Sequence, residues 1–159
     1  MTAARSARVR PARPEDLPHI AALAAEHAAY EKASPPPADL DRRLERLLFG
    51  PATPPRLSCF VAELDGGAPI GYASCAPEVS TWDGVEYLHM DCLFLRDGHR
   101  GLGIGPLLMR AVVDEARARG LAQVQWQTPP WNTDAIRFYD RLGAAAKEKR
   151  RYFLPVEAD

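Results

Sequence analysis

The sequence predicts an α/β (α+β) fold: a mixed, mainly antiparallel sheet with about four helices and one strand–helix–strand unit. Three observations point there. Two β-rich runs, Leu57 to Leu64 and Ile70 to Pro77, flank Asp65-Gly66-Gly67, a turn chemistry that joins antiparallel strands. A long apolar run, Val85 to Leu95, passes through a glycine-rich segment into a helical pattern and then into Val124 to Gln127, which reads as a right-handed crossover between parallel neighbours. Ahead of these, apolar residues recur at helical spacing in two separate stretches.

In chain order, Arg8 to Pro11 reads as a short first strand. Glu15 to Lys32 then places Leu17, Ile20, Ala21, Ala24 and Ala28 on one helical face, with Glu15 and Asp16 suited to the first turn. Ser34 to Pro37 breaks that helix, and Asp39 to Phe49 restarts one with Leu40, Leu44, Leu47 and Leu48 together, stopped by Gly50. After the hairpin and the fourth strand, Leu107 to Gly120 is a helix that Gly120 ends. Asp134 to Leu142 is a short helix ended by Gly143, and Lys147 to Leu154 reads as a last strand.

At 159 residues the chain fits one domain, residues 1–159. Twenty basic against twenty-one acidic side chains give a net charge of −1, so nothing suggests an electrostatic partner such as duplex nucleic acid or an anionic membrane, and none is expected. Cys59, Cys75 and Cys92 are odd in number and lack C-x-x-C spacing, so neither a disulfide framework nor a zinc site is expected. Buried thiols in a cytoplasmic protein fit them better. The first ten residues carry arginines without the apolar stretch of a signal peptide, and no run reaches the length of a membrane span.

Arg100-Gly101-Leu102-Gly103-Ile104-Gly105 is the most informative segment. It joins a strand to a helix whose first N–H groups lack intrahelical partners and whose dipole end is positive, a seat for phosphate. A dinucleotide fingerprint would need G-x-G-x-x-G with an acid about 20 residues on, and Leu121 to Gln127 has none. A phosphate-binding Walker loop would need Lys-Ser or Lys-Thr after its last glycine, where Pro106-Leu107 stands. A plain turn without a ligand remains open, although it needs one glycine rather than three.

The R-x-x-G-x-G pattern resembles the pyrophosphate loop of the GNAT superfamily of acetyl-CoA-dependent N-acetyltransferases. Trp131-Asn132, Ala135-Ile136-x-Phe138-Tyr139 and Leu142-Gly143-Ala144 resemble that family's late segment, which lies along the pantetheine arm. Tyr30-Glu31, Trp82 with Gly84, and Tyr87-Leu88 occur in the order and approximate spacing of the spermidine/spermine (diamine) N-acetyltransferase branch. The likeness covers nearly the whole chain, with residues 87 to 143 its most specific part. It implies a central sheet of six to seven strands with about four helices, a βαβ unit for acetyl-CoA, no metal, and a homodimer, to which the Pro-flanked arm Ser34 to Pro55 also points. The chain departs from the branch where a Glu-Asp pair is usual: Asp91-Cys92 stands there, followed by Leu93-Phe94.

The resemblance also implies roles. A bulge in the fourth strand would free backbone N–H groups around Leu93, Phe94 and Leu95 for the thioester oxygen and the pantetheine amide. Arg100, Gly101, Leu102, Gly103, Ile104, Gly105 and Pro106 would hold the pyrophosphate, with Asn132 and Tyr139 along the coenzyme arm. Pro106 lacks an N–H that would be orphaned there anyway. Tyr139 is the general-acid candidate, because a phenol stays protonated at neutral pH and can donate to departing sulfur; alternatively Phe138 and Tyr139 are core aromatics. Asp91 is the base candidate, because a lone carboxylate on an apolar strand is expensive to bury without purpose; alternatively it is an exposed or arginine-paired strand-end acid.

Tyr30, Glu31, Trp82, Asp83 and Asp91 are the substrate candidates, an acidic rim for a cationic amine. Glu78 and Glu86 read as plain surface. Cys92 suggests a thiol nucleophile or, more simply, packing. His89, two residues from Asp91, is a relay candidate or a structural histidine. The expected function is acetyl transfer from acetyl-CoA to a primary amine of a small cationic metabolite, polyamine or diamine first, by direct attack in a ternary complex. An aminoglycoside-type substrate, a protein or peptide amine, and a silent acyl-CoA-binding module are the rivals.

Overall fold

The computed structural model describes residues 5–158. They fall into two compact units, one ending at Gln127 and the other beginning at Thr128. The first holds β1 (Ala7–Pro11), α1 (Leu17–Tyr30), α2 (Leu40–Phe49), β2 (Ser58–Leu64), β3 (Gly71–Ser80), β4 (Val85–Leu95), α3 (Ile104–Ala118) and β5 (Val124–Gln125). The sheet order is β1-β2-β3-β4-β5, with the first four strands antiparallel and β5 parallel to β4. Among the described residues no helix is long and apolar enough to cross a membrane.

The β2–β3 turn is built as its residues dictate. Asp65 and Gly66 both take positive φ, 52° and 71°, and the Gly67 N–H donates to the Leu64 carbonyl at 2.9 Å, the type I′ pattern that matches strand twist. α1 buries Leu17, Ile20 and Leu23 against Leu48 of α2 and against Cys59, Val61, Tyr72 and Phe94 of the sheet. Ser58 bonds Glu115 of α3 at 3.3 Å, and its neighbour Cys59 belongs to the α1 cluster, so the alternation of β2 puts α1 and α3 on opposite faces. Ile104, Leu108 and Val112 of α3 are fully buried.

Boundaries shift in instructive ways. Pro14–Asp16 is a 3₁₀ turn ahead of α1, which stops at Tyr30 and leaves Glu31 as its C-cap. α3 begins three residues earlier than the apolar periodicity indicates, so Ile104, Gly105 and Pro106 form its first turn. β5 is two residues long because its pairing with β4 ends at His89.

The sheet has five strands, not six to seven. Lys147 to Leu154, expected as a last strand, forms none, and Tyr152, Phe153 and Leu154 are 84, 77 and 89% exposed. A β-prone aromatic and aliphatic run is not enough; a strand also needs a neighbour to complete its hydrogen bonds. In the second unit α4 (Thr133–Arg141) starts at Asn132, whose side-chain oxygen accepts from the Ala135 N–H at 3.3 Å, and ends before Gly143 at φ 81°.

Candidate active site

The site grows from one irregularity in β4. Ser74 of β3 pairs with Cys92 while the next residue, Cys75, pairs with Met90, so Asp91 is the extra residue of a bulge. The bulge thus sits at Asp91, just ahead of the Leu93 to Leu95 stretch where the resemblance implied freed amides. Downstream of it the Arg96 N–H donates to the Ile70 carbonyl on the β3 side. By strand alternation the Phe94 N–H also faces β3, whereas Leu93 and Leu95 aim theirs toward the side where β5 has ended. Two backbone donors therefore face an open edge immediately before the glycine-rich loop.

That loop fits a phosphate-bearing ligand. Gly101 and Gly103 hold φ of 77° and 78°, the left-handed region that glycine enters without strain, and a Cβ at either would meet nothing within 4 Å. The space above the loop is open. Gly103 caps α3, no side chain caps that terminus, and the first turn has no acid to compete for an anion. The fully buried Ile104 side chain pins the turn to the core, while Leu102 is exposed. Arg100 lies with its guanidinium carbon 4.5 Å from the Tyr30 ring centroid and 5.7 Å from that of Phe94, so the loop rests on the end of α1.

Gly103→Ala should weaken coenzyme binding about tenfold in a calorimetric titration with CoA, since a left-handed alanine costs roughly 1–2 kcal/mol. Gly66→Ala, with a similar φ of 71° but on the β2–β3 turn, should strain the fold equally and leave CoA affinity unchanged.

Beside the bulge, polar side chains converge on the α1 face. His27 stacks on Phe94 with ring centroids 5.0 Å apart, its Nδ1 is 3.1 Å from the Tyr72 hydroxyl, and its Nε2 is 3.4 Å from Glu31. The Cys92 thiol lies within hydrogen-bonding reach of Tyr72 and donates to the Asp91 carboxylate at 3.6 Å. His89 stands 3.7 Å from the same carboxylate. Asp91 itself is 61% exposed, so it is not the buried lone carboxylate expected but the exposed strand acid that was its alternative. Burial, then the charge of Asp91, pushes the Cys92 thiol up to about 11, which removes the thiolate that a covalent route would need.

Two expected residues of the first unit do not join this cluster. Trp82 and Asp83 sit at the tip of the β3–β4 hairpin, whose last pair is Ser80 with Val85, about 20 Å along the strand from Asp91. Trp82 is 94% exposed, and Asp83 accepts from the Ser80 hydroxyl at 2.8 Å. Asn132 and Tyr139 belong to the second unit, where Asn132 caps α4 and the Tyr139 ring lies 5.4 Å from that of Phe138. His27 and Tyr72 were not candidates. The only signal was the four-residue spacing of His27 and Glu31 on a helix, which an alanine-rich context hides.

Comparison with known proteins gives the family and the fold. Residues 20–144 match the model of the acetyltransferase (GNAT) family. The thialysine N-epsilon-acetyltransferase of Mus musculus is 30% identical over 146 residues, 87% of this chain and 84% of that protein. The L-ornithine N5-acetyltransferase of Arabidopsis thaliana is 31% identical over 74 residues, 46% of this chain and 32% of that one. An aminoglycoside N-acetyltransferase solved in complex with CoA superposes with a TM-score of 0.79 at 20% identity, covering 98% of each chain.

Proposed function

The chain belongs to the acetyltransferase (GNAT) family, and on that premise we propose that it moves an acetyl group from acetyl-CoA to a primary amine of a small cationic metabolite, by direct attack in a ternary complex. The observation that carries this reading is the open β4 edge: the Leu93 and Leu95 N–H groups lead directly into the glycine loop that begins α3. When bound, acetyl-CoA supplies a thioester carbonyl that an amine can attack.

The chain's own residues meet the needs of that reaction. Backbone N–H groups of Gly101 to Gly105 and the Arg100 side chain hold the diphosphate. The Leu93 and Leu95 N–H groups donate to the coenzyme's carbonyl oxygens and stabilise charge as it builds on the thioester oxygen. Asp91 takes the proton from the incoming ammonium, and Tyr139 returns one to the sulfur, on the phenol's place in its W-N…F-Y…L-G segment. Glu31 and Asp91 give the amine a negative surround. Trp82 and Asp83 are given no role in it, since the hairpin tip stands far along the strand from Asp91. The named substrates of the relatives, thialysine and ornithine, support a chain-end amine of a basic amino acid or diamine.

The test is release of free CoA thiol across a panel of polyamines, diamines, ornithine- and lysine-like amino acids, aminoglycosides and peptides. One class should lead in kcat/KM by about 100-fold, some 3 kcal/mol of transition-state discrimination. Absence of thiol release with every amine would overturn the reading.

A further inference from the structure

Two interior groups have no part in the chemistry above: the buried Tyr72 hydroxyl and the His27 imidazole. Tyr72 is only 4% exposed, yet its hydroxyl is bracketed by His27 on one side and Cys92 on the other. Cys92 continues to Asp91 at 3.6 Å, and His27 continues to Glu31 at 3.4 Å. The bulge makes this possible. In a regular strand residues 90 and 92 share a face, but the extra residue turns Cys92 to the α1 face while Met90 stays paired with Cys75.

We propose that Cys92, Tyr72 and His27 form a proton relay that carries the substrate's proton inward from Asp91 to the imidazole beside Glu31. The inference rests on the acetyltransferase reading. Asp91 accepts a proton from the incoming ammonium, and the lone pair this frees then bonds the acyl carbon. Asp91 then gives a proton to the Cys92 sulfur while the thiol's hydrogen passes to the Tyr72 oxygen and the tyrosine's hydrogen to His27 Nδ1. One proton enters and one leaves each of Cys92 and Tyr72, so both stay neutral, and the imidazolium formed on His27 is paired with Glu31. Asp91 returns to its carboxylate, and the imidazolium releases its proton to water beside the part-exposed Glu31 carboxylate before the next turnover.

Burial supports neutral carriers here: it raises the Tyr72 hydroxyl far above its ordinary range and the Cys92 thiol to about 11, so neither rests as an anion. The groups that face the relay are Glu31 from α1, Cys59 from β2, Asp91 and His89 from β4, and Arg100, which lies over Phe94. Asp91 meets water in the free protein, but an amine seated on it and a thioester beside it cover that exit, and the inward path is then the direct one.

The relay residues do not touch the reacting atoms and act through Asp91. Tyr72→Phe keeps the ring and removes the hydroxyl. It should lower kcat about tenfold or more at neutral pH, leave the KM for acetyl-CoA unchanged, and lose most of the deficit at high pH, where the amine sheds its proton unaided. His27→Ala should show the same deficit and recover with added imidazole, which a packing role would not do. Unfolding midpoints show whether each variant is folded, and Tyr72→Phe decides alone if His27→Ala is not. Turnover of Tyr72→Phe within about twofold of the parent at every pH overturns the relay and leaves the acetyltransferase reading intact. Absence of turnover in the parent overturns both.

Discussion

Asp91→Asn is expected to lower kcat with the preferred amine by about 10²–10⁴-fold at neutral pH, the range for losing a positioned base. The reason is charge. A chain-end amine has a pKa of about 10.4, so at pH 7 nearly all of it is ammonium and holds no lone pair for attack. Asp91 stands on the bulge, 61% exposed, beside the backbone donors of Leu93 and Leu95, where an acceptor for that proton is needed. Asparagine keeps the shape and cannot take the proton. The deficit should therefore shrink as pH rises toward the amine's own pKa, because bulk hydroxide does the same work there. If Asp91 only anchors the substrate cation, KM rises while kcat stays constant and no such convergence appears. Tyr139→Phe is the companion measurement: loss of an acid for the sulfur lowers kcat, whereas loss of a packing phenol leaves it unchanged.

Much of this site is written locally, and some of it is not. The R-x-x-G-x-G segment is legible because positive φ at Gly101 and Gly103 demands glycine wherever the loop occurs. The bulge at Asp91 is visible only through family resemblance, since a β-bulge depends on how two strands count against each other. Trp82 and Asp83 lie close to the fourth strand in sequence, but an antiparallel hairpin carries its tip away from the strand's far end. The apolar run of Tyr152 to Leu154 looks like a strand end, and no neighbour completes it. His27 and Tyr72 are the clearest omissions. One sits among alanines and the other reads as an ordinary strand aromatic, and only the packing of α1 on β3 brings their polar ends to 3.1 Å.

Arg10→Met is expected to destabilise the fold by about 3 kcal/mol at pH 7, read as the urea-unfolding midpoint with its slope unchanged. Arg10 ties three elements. Its Nη1 and Nη2 donate to the two Asp16 oxygens at 2.7 and 3.0 Å, at the entry to α1, and its Nε donates to Glu63 of β2 at 3.1 Å. The side chains are 12, 7 and 12% exposed, so removing the cation leaves two carboxylates largely desolvated and facing each other. The low end of the usual range applies because an open polar cleft, lined by Arg8, Arg13 and His19, reaches all three. The sign with pH follows from Asp16. Hydrogen bonding to Arg10 chiefly, and to the Arg13 N–H, holds its carboxyl below the ordinary range, against burial, which acts the other way. The parent therefore draws stability from Asp16 above the unfolded value of about 3.9 and loses it as pH falls through the lower folded value. In Arg10→Met the larger part of that depression is gone, protonation relieves the crowded carboxylates, and the gap between the two proteins narrows below about pH 4. A gap that stays constant from pH 7 to pH 3 would mean that Arg10 stabilises the junction by packing alone.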